Sequence, residues 1–209
     1  MKIFNVLSAS ALAVAFTVAP PAAHAEHITP PAVPDNLKVA EGSKAFLVGH
    51  ATGTQNYICL PSGTGFAYAL FTPEATLFND HFKQLITHFF SVNPDPDDNG
   101  AIRATWQSSR DSSEVWAKAA PDGISTDERF VQRGAVAWVL LDVVGTQEGP
   151  SGGDTLTVTT QIQRLNTSGG VAPSTGCSVS TDVGKKAFVP YTADYFFYRM
   201  PEGDDDDGN

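Results

Sequence analysis

Positively charged residues are scarce in this chain. Its 209 residues include 13 Lys and Arg but 23 Asp and Glu, which gives a formal net charge of −10. The pair Lys185 and Lys186 is its longest run of basic residues. Binding to nucleic acid or to an anionic membrane surface requires dense positive charge. The composition therefore disfavours both kinds of partner.

The sequence also lacks the short motifs that bind nucleotides or build common catalytic centres. It has no GxxxxGK loop, and Tyr68 stands where a dinucleotide loop starting at Gly63 needs its third glycine. Neither HExxH nor CxxC is present. These absences argue against nicotinamide or ATP chemistry, and we expect no organic cofactor.

Long apolar runs are absent except at the start of the chain. Lys2 precedes an apolar stretch over 6–18, which ends before Pro20 and is followed by the small-residue triplet that closes at Ala25. This order is typical of a secretory signal peptide cleaved after Ala25, and the run is too short to span a membrane. We therefore predict a signal peptide over 1–25 and a periplasmic or extracellular protein.

The remaining chain divides by composition into three parts. Residues 26–42 are rich in proline and lack periodicity, which predicts an extended lead-in. Residues 43–200 carry the apolar pattern of a single β-rich domain. Residues 201–209 contain four consecutive aspartates, which predicts an acidic disordered tail.

Short runs of alternating polarity dominate the domain and predict strands with one buried face. The predicted strands are Lys44–Val48, Gln55–Leu60, Phe66–Phe71, Gln84–Phe90, Ile102–Gln107, Glu114–Lys118, Val136–Val144, Thr155–Arg164 and Asp194–Arg199. Val136–Val144 is apolar on both faces except for Asp142, so we expect it to be covered on each side. Helical periodicity is confined to the short stretch Phe78–Leu85. The pattern predicts an all-β domain, an antiparallel β-sandwich or barrel of about 8–10 strands with little helix.

Only two cysteines are present, Cys59 and Cys177. In an exported protein they are free to form a disulfide, and neither belongs to a metal-binding or redox motif. We expect a structural disulfide that closes a loop of 118 positions (177 minus 59).

One acidic loop matches the first half of a calcium-binding pattern. Asp95, Asp97, Asn99 and Gly100 follow the spacing D-x-[DN]-x-[DN]-G. The match then fails, because Trp106 stands where the bidentate glutamate belongs. Two interpretations remain open, a calcium site at Asp95, Asp97 and Asn99 and a solvated turn between two strands.

Aromatic and polar residues supply the candidates for binding. Trp116 alternates onto the face of Glu114 and Lys118, so it is either an exposed platform for a sugar ring or packed under a loop, whereas Trp106 and Trp138 are expected in the core. The other candidates are Gln55, Tyr57, His88, Arg164, Asp194 and Tyr195. For Arg164 and Asp194 a structural ion pair between strands is an equally open interpretation.

Two segments carry a resemblance to a known family. The stretch from Gln161 to Pro173, together with Cys177 and the segment Val189–Tyr198, resembles the C-terminal signature of the uncharacterised secreted family called domain of unknown function 3455. Gln55–Cys59, Thr87–Phe89, Trp106 and Asp111–Val115 resemble its N-terminal part. The resemblance implies an exported β-rich domain with paired cysteines and no established activity. Some relatives carry a malate dehydrogenase label, which the missing cofactor loop does not support.

Three hypotheses for function follow. The first is a non-catalytic extracellular or cell-envelope binding module, whose partner is a saccharide or another envelope component. The second is a secreted hydrolase or lyase acting on a carbohydrate, with a site dispersed over residues such as His50, His88, Asp111, Arg164 and Asp194. The third is a calcium-stabilised structural module. Convergence of a histidine and a carboxylate in one pocket would favour the enzyme.

Overall fold

The computed structural model describes residues 28–201, so the predicted signal peptide and nearly all of the acidic tail lie outside the described residues. Eight strands follow one another along the described chain. They are β1 (Lys44–Ser62), β2 (Gly65–Phe78), β3 (Gln84–Val92), β4 (Ile102–Ser108), β5 (Glu114–Ser125), β6 (Trp138–Gln147), β7 (Gln161–Gly169) and β8 (Lys186–Arg199). Helix in this part of the chain is limited to three short 3-10 turns.

The eight strands form one closed antiparallel barrel in chain order. Each strand pairs with the next, and β8 returns to pair with β1 along almost its whole length. The all-β prediction is confirmed, and the barrel is the correct one of its two alternatives. The separately predicted strands Lys44–Val48 and Gln55–Leu60 are parts of β1, because β2 and β8 pair continuously with the intervening residues.

The predicted strand Thr155–Arg164 is wrong in its first part, and the one helical candidate is not a helix. Thr155–Thr160 alternates in polarity but forms turns, and β7 begins only at Gln161. Leu156 is nevertheless fully buried, because the turn inserts it into the barrel core. The helical candidate Phe78–Leu85 contains the turn from β2 to β3, where the Asn79 side chain accepts hydrogen bonds from two following backbone amides.

The barrel interior is filled by side chains from alternate strand positions. Large apolar and aromatic residues such as Leu77, Ile86, Trp106 and Phe197 are almost completely buried there. The interior also receives small residues, namely Ala51, Ala75, Ala117 and Ala193. This mixture packs one part of the interior and leaves open space in another.

The lead-in packs against the outside of the barrel. Leu37 is fully buried against Trp138 and Leu140 of β6 and Phe196 of β8. This segment, residues 28–43, is called the N-terminal strap below. It explains why β6 is buried on both faces over Trp138–Leu141, as the apolar run predicted.

Side-chain hydrogen bonds hold the N-terminal strap in register. Asn36 Nδ2 donates to the carbonyl oxygens of Asp122 and Ile124, at the end of β5. On the other side, Gln163 Nε2 of β7 donates to the Leu37 carbonyl over 2.5 Å. The strap is therefore an integral part of the fold.

Candidate ligand-binding site

A cavity of about 290 Å³ enters the barrel interior from one end. Gln55 of β1 and Arg164 of β7 lie on one side of it, and Phe90 of β3 and Ala104 of β4 line the other. Exposed Ile102 stands at its rim. The deeper aromatic wall consists of His88, Trp106 and Tyr195. Most of the remaining lining is apolar, as in a typical small-molecule site.

Four of the candidate binding residues from the sequence line this cavity: Gln55, His88, Arg164 and Tyr195. They come from four different strands, β1, β3, β7 and β8. Each occupies an inward position, and the barrel brings together residues far apart in the chain. Their part in binding stays a prediction.

The aromatic wall fixes the state of His88. Its ring stacks on Trp106 with centroids 4.3 Å apart, and the Tyr195 ring lies 5.2 Å away. Burial lowers the pKa of His88 to about 3, with a smaller lowering from the charge of Arg164, although the hydrogen bond with the Thr105 carbonyl opposes this. His88 is therefore neutral near pH 7. Since Nδ1 lies 2.8 Å from that carbonyl, it carries the proton, and Nε2 is an acceptor.

Two buried donors in the cavity lining have no hydrogen-bond partner. Gln55 is 2% exposed and Trp106 is 1% exposed, and both Gln55 Nε2 and Trp106 Nε1 are unpaired. The Gln55 amide faces the Tyr191 hydroxyl without a well-formed hydrogen bond. A buried donor without a partner costs about 1–3 kcal/mol. The two residues line the cavity, while their donor atoms lie just beneath its surface with less than 1 Å² exposed.

Arg164 has donors left over. Its Nε and Nη2 donate to the Ala137 carbonyl over 3.2 and 2.9 Å. Within the described residues, Nη1 has no hydrogen-bond partner and no carboxylate forms an ion pair with the guanidinium. The interpretation of Arg164 and Asp194 as an ion pair is wrong. Arg164 pairs with Tyr195, which faces the interior, so the adjacent Asp194 faces outward, where it contacts His50.

Asp194 instead belongs to an outer cluster with His50. His50 Nδ1 lies 2.6 Å from Asp194 Oδ1, and its Nε2 lies 3.1 Å from Asp80 Oδ1. Burial lowers the pKa of His50, but the two carboxylates outweigh it and the net shift is upward. Asn166 Nδ2 donates to the second oxygen of Asp194 over 2.7 Å. His50 and His88 therefore lie on opposite sides of the barrel wall.

Tyr57 supports the cavity without lining it. Its hydroxyl donates to the Gly170 carbonyl over 2.5 Å, and burial raises its pKa. Gly170 has a φ of +82°, and a Cβ there would lie 2.9 Å from Tyr191 and 3.1 Å from Gln55. Glycine is required at this turn, so Tyr57 anchors a segment that packs against the polar side of the cavity.

Trp116 is not an exposed platform. Only 2% of it is exposed, and its Nε1 donates to Ser91 Oγ over 2.8 Å. It pairs across strands with Gly145, against which Asn93 packs while donating to the Val144 carbonyl. The loop that begins at Asn93 therefore covers this part of the outer face, and the packed alternative is correct.

The same loop contains the calcium candidates. Asp95 accepts a hydrogen bond from the Asp97 amide, and Asn99 adopts the left-handed conformation with a φ of 53°. Asp98 forms a two-point ion pair with Arg103, and this pairing holds the pKa of Asp98 well below its usual range. Among the described residues, no three His, Cys, Asp or Glu side chains are grouped to hold a metal. Calcium binding by Asp95, Asp97 and Asn99 stays a prediction.

The disulfide between Cys59 and Cys177 is confirmed, with a Cα–Cα distance of 5.5 Å. Backbone hydrogen bonds join Cys59 to Gly184 and Lys185 beside it. These contacts tie the long connection between β7 and β8 to β1.

Within residues 28–201, no helix is long and apolar enough to cross a membrane.

Sequence reasoning missed the role of Trp106 in the cavity. Its position in an apolar run indicated only a core residue, and it is indeed 1% exposed. The available signal was its neighbour Ala104, a small residue on the same face of β4, which leaves space beside the indole. Small inward residues next to a tryptophan indicate a cavity only when the opposite wall is known.

Comparison with known proteins identifies a family. The family described as protein of unknown function (DUF3455) matches the chain over residues 40–199. No curated protein and no solved structure matches the chain. The matched range contains all eight strands and every residue that lines the cavity.

Proposed function

The chain belongs to this family of unknown function, and we propose that it is a non-catalytic exported protein that binds one small ligand inside its barrel. The observation that carries the proposal is the pair of unpartnered buried donors, Gln55 Nε2 and Trp106 Nε1, in the lining of an open cavity. A ligand that supplies acceptors would satisfy them after a small side-chain movement, because each atom exposes less than 1 Å². The largely apolar lining favours an organic ligand.

Export rests on two independent features. The amino-terminal segment has the three-part order of a signal peptide, and the Cys59–Cys177 disulfide is typical of an oxidising compartment. We place the protein in the periplasm or outside the cell, where a soluble ligand reaches the cavity mouth.

The cavity favours a small amphipathic molecule over a polysaccharide. Sugar-binding sites use exposed aromatic faces, but Trp116 is buried under a loop. The cavity combines one polar side with an apolar side formed by Phe90, Ala104 and Val139. A saccharide or other envelope polymer would have to be recognised elsewhere on the surface.

The hydrolase hypothesis lacks support in the cavity. No Asp or Glu belongs to its described lining, and His88 is held as a neutral ring by burial. The histidine and carboxylates that do converge, His50 with Asp194 and Asp80, lie on the outer face and hydrogen-bond one another. General acid–base catalysis needs such groups beside the substrate.

The test uses the oxidised protein and two small amphiphiles, 4-phenylbutan-1-ol and 4-phenylbutanoate. Binding is followed by calorimetry and by tryptophan fluorescence, since Trp106 forms part of the cavity wall. We expect saturable one-to-one binding of at least one probe. Ala104→Trp fills the cavity and should abolish this binding.

Ala67→Trp provides the matched control, because Ala67 is exposed on β2 and does not line the cavity. Circular dichroism verifies that both variants are folded. The proposal would be overturned if neither probe bound the wild type, or if the Ala104→Trp variant bound a probe as tightly as the wild type does.

A further inference from the structure

Resting on the binding function proposed above, we infer that the ligand carries a single carboxylate, held by the Arg164 guanidinium and the Gln55 amide. Both residues line the same side of the cavity, on strands that each pair with β8. The inference follows from the charge, the hydrogen-bonding capacity and the shape of this site.

The charge in the cavity is not balanced by protein groups. Arg103 at the rim is paired with Asp98 at 2.6 Å, and Lys118 lies close enough to the same carboxylate to lower its pKa. Arg164 has no such partner in the described residues, and no acidic side chain is among those lining the cavity. A partly buried cation without a counter-ion is costly, and an anionic ligand group would remove this cost.

The unsatisfied groups on this side are donors. Arg164 Nη1, Gln55 Nε2 and Trp106 Nε1 all lack hydrogen-bond partners within the described chain. An ionised carboxylate has only acceptors and offers two oxygens, so it matches this set better than a hydroxyl or an amide. A guanidinium also binds carboxylates with charge-assisted hydrogen bonds.

Arg164 is the one cation among the described lining residues that is both partly buried and without an ion pair, since Lys118 also lacks an ion pair but is exposed to solvent. A doubly charged phosphate would bring a second charge that no partly buried cation meets. The opposite wall of Phe90 and Ala104 accepts an apolar body. The geometry therefore fits a small aromatic or short aliphatic monocarboxylic acid.

The experiment compares 4-phenylbutanoate with 4-phenylbutan-1-ol, which share the same apolar body. At pH 7.5 we expect the wild type to bind the acid about tenfold or more tightly than the alcohol, from hydrogen bonds to a charged group. Arg164→Gln should remove this preference and change the affinity for the alcohol by less than about threefold. Arg164→Lys keeps the charge and should retain part of the preference.

Arg133→Gln is the control for the loss of one positive charge, because Arg133 is exposed and outside the cavity lining. If Arg164→Gln does not fold, Gln55→Leu tests the same contact, with a loss of about fivefold in affinity for the acid alone.

Three results would overturn the inference. Equal affinity of the wild type for acid and alcohol would leave the binding function intact but contradict the inference that the ligand carries a carboxylate. A preference for the acid that survives in folded Arg164→Gln and Gln55→Leu would place the anion elsewhere. If neither compound bound, the proposed binding function would be overturned as well.

Discussion

The imidazole of His88 lies almost parallel to the indole of Trp106, with 10° between the planes and 4.3 Å between the ring centroids. The stack is buried, and Thr105 fixes the tautomer of the histidine through its carbonyl. Protonation of His88 would place a charge in this apolar wall close to Arg164. Burial therefore keeps this stack uncharged near neutral pH.

Acid should destabilise the protein through His88. Below about pH 6.5 the unfolded chain binds a proton at this residue, whereas the folded protein does not until about pH 3. The unfolded state then binds more protons, so stability falls as pH falls, by up to about 1.4 kcal/mol per pH unit below pH 6. Urea unfolding at pH 7 and pH 5 measures the change.

His88→Phe keeps a ring against Trp106 and should reduce this dependence between pH 7 and pH 5. His81→Gln, which removes an exposed histidine, serves as the control. Identical pH dependence in wild type and His88→Phe would show that another group is responsible. The carboxylates with lowered pKa values, Asp98 and Asp111 among them, act only at lower pH.

His50 should act in the opposite direction and in a higher pH range. Its folded pKa is raised, so its contribution to stability is fully present below about pH 6.5 and is lost as pH rises through the folded value. The ring is 42% exposed, and solvent screening limits the effect to less than about 1 kcal/mol. NMR titration of the ring gives the pKa in wild type and in Asp194→Asn, where we expect it to fall. An unchanged value would contradict the assigned contact.

Reduction of the disulfide should lower the free energy of unfolding substantially. The bridge closes a loop of 118 positions, for which the chain-entropy model gives an upper limit of about 5 kcal/mol. Urea unfolding with and without dithiothreitol measures the loss. The double variant Cys59→Ala and Cys177→Ala should match the reduced protein and be insensitive to dithiothreitol. Equal stability of the oxidised and reduced wild type would rule out a stabilising role.

Trp116→Ala should destabilise the fold and leave the cavity unchanged. Removing a buried tryptophan costs about 3–5 kcal/mol, and here the hydrogen bond to Ser91 is lost as well. Thermal unfolding measures the loss, while probe binding below the unfolding temperature should match the wild type. Normal stability combined with lost binding would restore Trp116 as a surface binding residue.

Local polarity was sufficient to predict most of the strands but not their closure. The alternation in Gln84–Phe90 and Ile102–Gln107 locates β3 and β4 within a few residues. The same signal failed at Thr155–Thr160, because a turn also buries a single residue, Leu156, between polar neighbours. Closure depends on the pairing of β1 with β8, which no local pattern encodes.

The cavity was predictable only in part. The alternation of side chains along a strand assigns Gln55, His88, Arg164 and Tyr195 each to one face of its own strand. That these four faces all point into the same interior follows only from the closed barrel. Trp116 shows the converse limit. Its alternation with Glu114 and Lys118 correctly indicated the outer face, yet the loop from Asn93 covers it, and a loop path is not encoded in strand periodicity.

Pairing of the first strand with the last has a consequence for how the molecule acquires its structure. Gly49 of β1 pairs with Tyr195 of β8, so the seam joins the two ends of the domain. Such long-range pairing slows folding, because the entropy of a long loop is lost before the pairing contributes stability. A chain arrested before β8 is complete would expose unpaired edges on β1 and β7, which invite intermolecular strand association. The barrel therefore closes late, after β8 has been synthesised.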